Sequence, residues 1–366
     1  MQRIILHMDL DSFYAAVEEK RNPSIAGKPI VICVFSGRSA DSGAVATANY
    51  KARELGIKAG VPIVAAKRLA NEETVFLKND IEYYRDVSER IMDLIEDECD
   101  ALEQASVDEA YMDVTKKSSG IWENAEAIAI AIKNKIKEQE GLTCSIGIGP
   151  NKLVAKMASK AKKPDGLTVI RQEEVEKFLE NLDIRKIHGI GSKTAESLNS
   201  LGIKTANQLA ASDPLKLEEQ FGKNKARLLQ EKARGHDESP VEQKETQQIS
   251  RIGTLKEDTR GQEIIFEKIK ELAQGMKRKI EKKKVYFRTV GIIAIDTGLE
   301  TQTRSETMAE TDDINIALLC ARHLLEKFLE ENPKKRLRRV GIRISNLLYK
   351  KEQTSLGDFA QRYFTR

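Results

Sequence analysis

MDLDSFYAAVEE at residues 8–19 and ASVDEAYMDV at residues 105–114 are the stretches on which the reading of this chain turns. The apolar run 4–10 predicts a buried strand that carries Asp9 and Leu10 at its end. Residues 102–107 and 110–114 predict two more strands around a tight connection, Ser106-Val107-Asp108-Glu109. A strand alternates its side chains, so Asp9 and Asp11 would share a side if the first strand ran on. Either acidic motif alone reads more simply as solvated carboxylates. Together they say more, because adjacent strands can bring Asp9 close to Asp108 and Glu109. Three crowded carboxylates repel unless cations lie between them, and hard oxygen ligands beside phosphates suit Mg²⁺. Two such ions, about 3.5–4 Å apart, can activate an attacking oxygen and stabilise a leaving one. Phosphoryl or nucleotidyl transfer is the main chemistry that uses the pair.

Working outward, residues 45–55 predict a helix ended by Gly56. On it Tyr50 and Arg53 stand three apart and share a face. Arginine grips phosphate through two bonds and tyrosine adds a hydroxyl. Lys163 precedes the turn Pro164-Asp165-Gly166. Without the carboxylates, Tyr50 would read as packing and Lys163 as an exposed turn residue. Further strands are predicted at 30–35 and 143–148, and helices at 80–99 and 123–138. Residues 1–170 thus form an α/β or α+β unit. Residues 171–237 read as helical, and Pro240 with the polar run 242–248 has a linker's composition. From Arg251 the order is strand, helix 262–282, strand 285–296, strand 302–307, helix 314–330 and strand 338–344. That β-α-β-β-α-β series predicts a split βαβ layout with both helices on one face.

The chain has 366 residues, 40% of them hydrophobic and 32% charged. It can bury sizeable cores and is not a disordered protein. It contains no apolar run near the roughly 18 residues of a membrane span. Asp9 interrupts any signal-peptide core, and Cys33, Cys99, Cys144 and Cys320 form no CxxC pair. A reduced, cytoplasmic protein without a membrane partner or a cysteine-based zinc site is expected. The net charge of +4 is small but unevenly shared. Residues 248–350 hold 22 Lys and Arg against 15 Asp and Glu, a net of +7, and the remainder carries −3. Solvated helix faces would explain one cluster. Two clusters, at 277–284 with Arg288 and at 334–339, favour a surface that tracks phosphates.

Five segments in order now carry a resemblance: MDLDSFYAAVEE, GAVATANYKAREL (43–55), ASVDEAYMDV, SIGIGPNKLVAKMASKAKKPDG (145–166) and IHGIGSKTAESLNSLGI (187–203). The chain resembles the Y-family DNA polymerases of the DinB or polymerase IV type. The resemblance implies a multidomain right hand of α/β and α+β parts. These are a catalytic palm (1–21 and 81–170), small fingers (22–80), a helical thumb with a helix-hairpin-helix (171–237), a linker (238–247), a split-βαβ little finger (248–350) and a tail (351–366). It implies template-directed, low-fidelity synthesis past damaged bases, from dNTP to the primer 3′-hydroxyl, by a monomer without a proofreading nuclease. Asp9, Asp108 and Glu109, with the carbonyl of Leu10, would bind two Mg²⁺ ions, and Glu109 would serve the ion that polarises the primer hydroxyl. Tyr50, Arg53 and Lys163 would hold the triphosphate. Tyr14 would be the steric gate against a ribose 2′-hydroxyl. Val34, Ala44 and Gly60 match the small residues that roof the nascent base pair.

Gly189 and Gly191 permit a tight hairpin, and the next helix, with Lys193, would offer backbone N–H groups to a DNA phosphate. Arg251, Arg343 and the run Lys282, Lys283, Lys284 are candidate backbone contacts in the little finger. In the tail, Gln353, Leu356 and Phe359 resemble a peptide that docks on a sliding clamp, although Ala360 stands where that pattern has a second aromatic residue. Two other readings use some of the same features. A DNA-binding scaffold would need the hairpin, the basic domain and the tail but not the acids. A palm-type nucleotidyl cyclase would need the acids but neither hairpin nor basic domain.

Overall fold

The structure is a computed structural model that describes residues 2–243 and 245–349. It divides into two compact units, Met1–Val34 with Ala44–Lys244, and Phe35–Gly43 with Glu245 onward. The first unit begins β1 (Ile5–Leu10), α1 (Phe13–Arg21), β2 (Ile30–Phe35), β3 (Gly43–Ala48), α2 (Tyr50–Glu54), α3 (Ile63–Leu69) and β4 (Val75–Lys78). It continues α4 (Ile81–Glu96), β5 (Ala101–Gln104), β6 (Glu109–Asp113), α5 (Trp122–Glu140), β7 (Cys144–Gly149), α6 (Lys152–Ser159) and β8 (Leu167–Val169). Short helices follow: α7 (Val175–Leu179), α8 (Ser192–Ser200), α9 (Ala206–Ala210), α10 (Pro214–Phe221) and α11 (Lys223–Ala233).

The main sheet has the order β5-β6-β1-β7-β8, with β1 antiparallel to both neighbours. Strand alternation splits it into two different faces. Ile4, Leu6, Met8, Ala110, Met112, Ile146 and Ile148 pack under α1, α4 and α5 in one apolar core. The opposite face carries Ile5, His7 and Asp9 from β1, Glu109 and Tyr111 from β6, and Ser145 and Gly147 from β7. Helix α6 lies across this second face. Its approach is so close that a Cβ at Gly147 would overlap Ala155 O and Ser159 N.

The stretch 45–55 departs from the sequence expectation. Val45 belongs to β3, and the helix is only Tyr50–Glu54. The Asn49 side chain caps that helix by accepting from Ala52 N at 3.1 Å, so the helix cannot begin earlier. The sheet order β3-β2-β4 with α2 and α3 has its own small core around Val31, Val45, Ala52 and Ile63. A second departure is the polar stretch 238–243, which is anchored to the main sheet rather than loose. Arg3 donates to Ser239 O at 2.9 Å, Val241 is buried with Ile5 and Tyr111, and Gln104 N donates to Gln243 Oε1 at 3.2 Å.

The second unit contains β9 (Gln248–Thr259), α12 (Gln262–Lys283), β10 (Val285–Asp296), β11 (Thr301–Thr311), α13 (Ile314–Glu331) and β12 (Leu337–Tyr349). The sheet order is β11-β10-β12-β9, all antiparallel, and both helices pack on one face in a single core. The predicted split βαβ order is therefore present. Within this unit Arg38 pairs with Asp258 at 2.6 Å, and Arg338 pairs with the same carboxylate at 2.9 Å. Among the described residues no helix is long and apolar enough to cross a membrane.

Replacing Gly147 by alanine is expected to push α6 off the sheet. Overpacking of this kind, against backbone that cannot yield, should lower stability by about 3 kcal/mol. Urea denaturation of the variant checks it.

Candidate active site

Strand pairing brings the acids together. Asp9 stands directly opposite Glu109 across the β1–β6 ladder, and Leu10 N donates to Asp108 O at 2.9 Å. Glu109 is the first residue of β6, not part of the turn. The turn is closed by Ala105 N and Ser106 N, which both donate to Glu109 O, at 3.0 and 3.2 Å. Ser106 Oγ then donates to Asp108 Oδ1 at 2.6 Å and orients that carboxylate. Burial pushes the Asp9 carboxyl above its usual range, and the charges of Glu109 and Asp108 push the same way, while Lys163 opposes them. Among the described residues the acids are not closed into a cage of three ligands. Each of two instead holds an ammonium: Lys163 pairs with Asp9, and Lys156 with Glu109 at 2.8 Å.

Asp11 takes a different part. β1 ends at Leu10, and the buried Asp11 side chain accepts from Thr143 Oγ1 at 3.1 Å, Ser145 Oγ at 2.9 Å and Asp165 N at 2.8 Å. It thereby ties down the turn after Lys163. It also accepts from Tyr50 Oη at 3.4 Å. Burial, and next the nearby Asp11, push the Tyr50 phenol up to about 12, so the ring stays protonated and can donate. The Arg53 guanidinium lies 5.2 Å from the centre of the Tyr50 ring, and its Nε donates to Ala48 O at 2.8 Å. Tyr14 stacks on Tyr84 with centroids 4.3 Å apart, and Tyr84 Oη donates to the buried Glu18 at 2.8 Å. The predicted gate ring is thus held by an aromatic that is itself fixed by a hydrogen bond.

A cleft of about 270 Å³ opens on this arrangement. Asp9, Leu10, Tyr14, Tyr50, Arg53, Asp108 and Lys163 all line it. So do Ala46 and Thr47, which the sequence reading did not single out although they lie within GAVATANYKAREL. Val34, Ala44 and Gly60 do not line it. Val34 is 51% exposed near the end of β2, and Gly60 N donates to Val45 O at the edge of β3. Glu109 opens instead on a second, larger cleft of about 1060 Å³, together with Lys156, His188, Arg227 and Lys232. The acids therefore form the wall between two polar clefts.

In the helical segment, Gly189 has φ +93° and lets the Lys232 ammonium donate to His188 O at 3.1 Å. Gly191 caps α8 without a side chain, and Lys193 is exposed in its first turn. The hairpin's first arm is only the single 3₁₀ turn Ile184–Lys186. Lys282, Lys283 and Lys284 are exposed at the end of α12. Arg251 and Arg343 are not brought together. Arg251 lies on the helix side of its sheet against Gly275, whereas Arg343 lies on the open side beside Gly291. Gln353, Leu356 and Phe359 fall outside the described residues.

Models of the impB/mucB/samB family match residues 8–160, of its C-terminal domain residues 246–357, and of the IMS family HHH motif residues 172–203. A DNA polymerase IV of Methanosarcina acetivorans is 45% identical over 98% of this chain and 100% of its own length. The chain belongs to the Y family of DNA polymerases. A DNA polymerase IV of Nitrosopumilus maritimus is 41% identical over 94% of this Y-family chain and 96% of its own. Among solved structures, a Y-family DNA polymerase chimera, Dbh-Dpo4(243-245)-Dbh, superposes with a TM-score of 0.89 at 38% identity, covering 94% of this chain and 99% of that one. An insertion ternary complex of Dbh DNA polymerase gives 0.71 at 38% identity, with the same coverage. Membership sets aside the cyclase reading.

Lys163 holds the Asp9 carboxyl down by charge and by hydrogen bond. Lys163→Met removes both effects, so Asp9 should titrate at higher pH than in the parent protein. Carboxyl ¹³C NMR across a pH series reads the shift.

Proposed function

We propose that the wall of carboxylates between the two clefts is where this chain joins a dNTP to a primer end. The chain is a DNA-directed DNA polymerase of the translesion type, as its relatives are named DNA polymerase IV over nearly its whole length. Its dependence on divalent metal follows from the same membership. One observation carries the assignment of the site: Asp9 and Glu109 face each other in register, and Asp9 with Asp108 lines a cleft that also holds Tyr50, Arg53 and Lys163.

The donor set fits hard divalent cations. It consists of carboxylate oxygens, with Asp9 raised first by burial and then by the neighbouring acids, and two ammonium groups are drawn onto them. Asp9, Asp108, Glu109 and the Leu10 carbonyl would hold two Mg²⁺ ions. Such ions supply a polarised primer hydroxyl and charge stabilisation at the transferring phosphoryl group. Tyr50 and Arg53 would grip the triphosphate, and Lys163, released from Asp9 when the site fills, would reach a phosphate oxygen. Glu109 would face the primer side, since it opens on the larger cleft where His188, Arg227 and Lys232 lie. The Tyr14 ring, backed by Tyr84, would exclude a ribose 2′-hydroxyl by its bulk.

The α8 N-terminus with Gly189, Gly191 and Lys193 would hold a DNA phosphate. Lys282, Lys283, Lys284 and Arg343 would add backbone contacts that carry charge rather than sequence information. The helix-side position of Arg251 makes it the weakest of these candidates. Val34, Ala44 and Gly60 would roof the base pair from outside the cleft. Gln353, Leu356 and Phe359 would tether the enzyme to a sliding clamp. The enzyme would work as a monomer in the cytoplasm.

Asp108→Ala is expected to abolish primer extension while leaving primer–template affinity within a few-fold. Gel extension and fluorescence anisotropy on the same preparation check both halves, and extension near the parent rate overturns the assignment. Tyr14→Ala should admit ribonucleotides that the parent enzyme rejects, as read from single-nucleotide insertion with matched rNTP and dNTP.

A further inference from the structure

We propose that Lys156 is a positioning residue for the transfer, locked in place by His7 and Ser159 and acting through Glu109. The inference rests on the reading of Glu109 as a metal ligand. It concerns four side chains on the α6 side of the sheet: His7 on β1, Glu109 on β6, and Lys156 and Ser159 on α6.

The hydrogen bonds have directions that can be worked out. Ser159 Oγ donates its proton to Lys156 O at 2.9 Å. The hydroxyl then has only lone pairs to offer His7, so His7 Nδ1, 2.8 Å away, is the donor. The imidazole proton is placed on Nδ1, and Nε2 keeps a bare lone pair. That lone pair faces Lys156 Nζ at 3.4 Å. The same ammonium donates to Glu109 Oε2 at 2.8 Å and lies 5.8 Å from the centre of the Tyr111 ring. His7 therefore serves as an acceptor that aims the lysine. The bond to Lys156 engages Oε2 of Glu109, and Oε1 is the oxygen left to bind in the site.

Two features separate this unit from an ordinary ion pair. The first is burial: Lys156 is 6% exposed and His7 is wholly buried. A lysine so enclosed is costly unless its charge is matched, and here the chain spends a carboxylate and an imidazole on it. Lys163, the other ammonium on the acids, is half-buried and can exchange partners. The second is Gly147, which stands opposite His7 in the β1–β7 ladder. Only a residue without a side chain lets α6 come near enough for Lys156 and Ser159 to reach His7. Outer partners that orient a ligating carboxylate typically account for about 10–100-fold in metal affinity or activity.

The test uses the full-length protein with a dideoxy-terminated primer–template and the matching dNTP. Mn²⁺ binding is followed by the EPR signal of free Mn²⁺, and kcat and KM for dNTP come from an extendable primer. Lys156→Met is expected to weaken Mn²⁺ binding about tenfold and to lower kcat with little change in KM. His7→Phe, which removes the acceptor, should move in the same direction. His7→Gln, whose amide oxygen can stand near the Nε2 position, should return toward the parent values. Glu109→Gln is the control. If it leaves Mn²⁺ binding unchanged, Glu109 is no ligand and the proposal falls with that reading. If it weakens binding while Lys156→Met and His7→Phe bind Mn²⁺ like the parent, the ligand reading stands and the positioning role is overturned. Tighter binding by Lys156→Met also overturns it, because the ammonium would then be only a competing charge. Thermal melts confine the comparison to folded variants, and should Lys156→Met not fold, the two His7 variants decide.

Discussion

The concentration of negative charge where β1 meets β6 is the constraint on which the rest of this structure depends. Asp9 and Glu109 are register partners, and Asp108 is tied beside them through the bond from Leu10 N to its carbonyl. A buried carboxylate beside two half-buried ones is stabilised in its charged form by nearby cations. The chain supplies two ammonium groups of its own, one on a buried helix and one on a turn. The helix-borne Lys156 is held by His7 and Glu109, while Lys163 sits before a turn whose backbone is anchored by Asp11. A site whose negative charge is partly offset by its own ammonium groups would keep its geometry and still leave carboxylate oxygens for divalent ions.

Getting a helix to that spot is a packing problem, and glycine solves it. The α6 face of the sheet would ordinarily be filled by side chains from β7. Gly147 leaves it bare at the height of His7, and the backbone of α6 fills the gap. The same helix turns Leu153, Val154 and Met157 toward the core of the helical segment. One short element therefore links the acids to the hairpin that follows.

Much of this was legible from local pattern. The strand 285–296 and the helices around it follow periodicity, since each packs one face on a single core. The acids, Tyr14, Tyr50, Arg53 and Lys163 were legible because each stands in a motif of distinct composition, and all but Glu109 line the same cleft. The errors have physical causes. In 45–55 the alternation of small residues was read as a helix, yet it fits a strand that stops at the Asn49 cap. The polar stretch 238–243 has a linker's composition, and composition does not show that backbone groups such as Ser239 O, Pro240 O and Glu242 N hold it to the main sheet and α6. Arg251 and Arg343 looked alike until the pleat put them on opposite faces.

The sequence by itself determined the family and much of the order of elements, and it offered candidate residues for the chemistry, because these depend on residue type and on spacing along the chain. Only the tertiary structure decided who meets whom. Lys163 finds Asp9 across 154 residues and Lys156 finds His7 across 149. His7 reads as one more residue of an apolar strand until Gly147 admits a helix above it. Pairing register and close backbone approach fix those partners, and both arise between segments whose separation in sequence leaves no local trace.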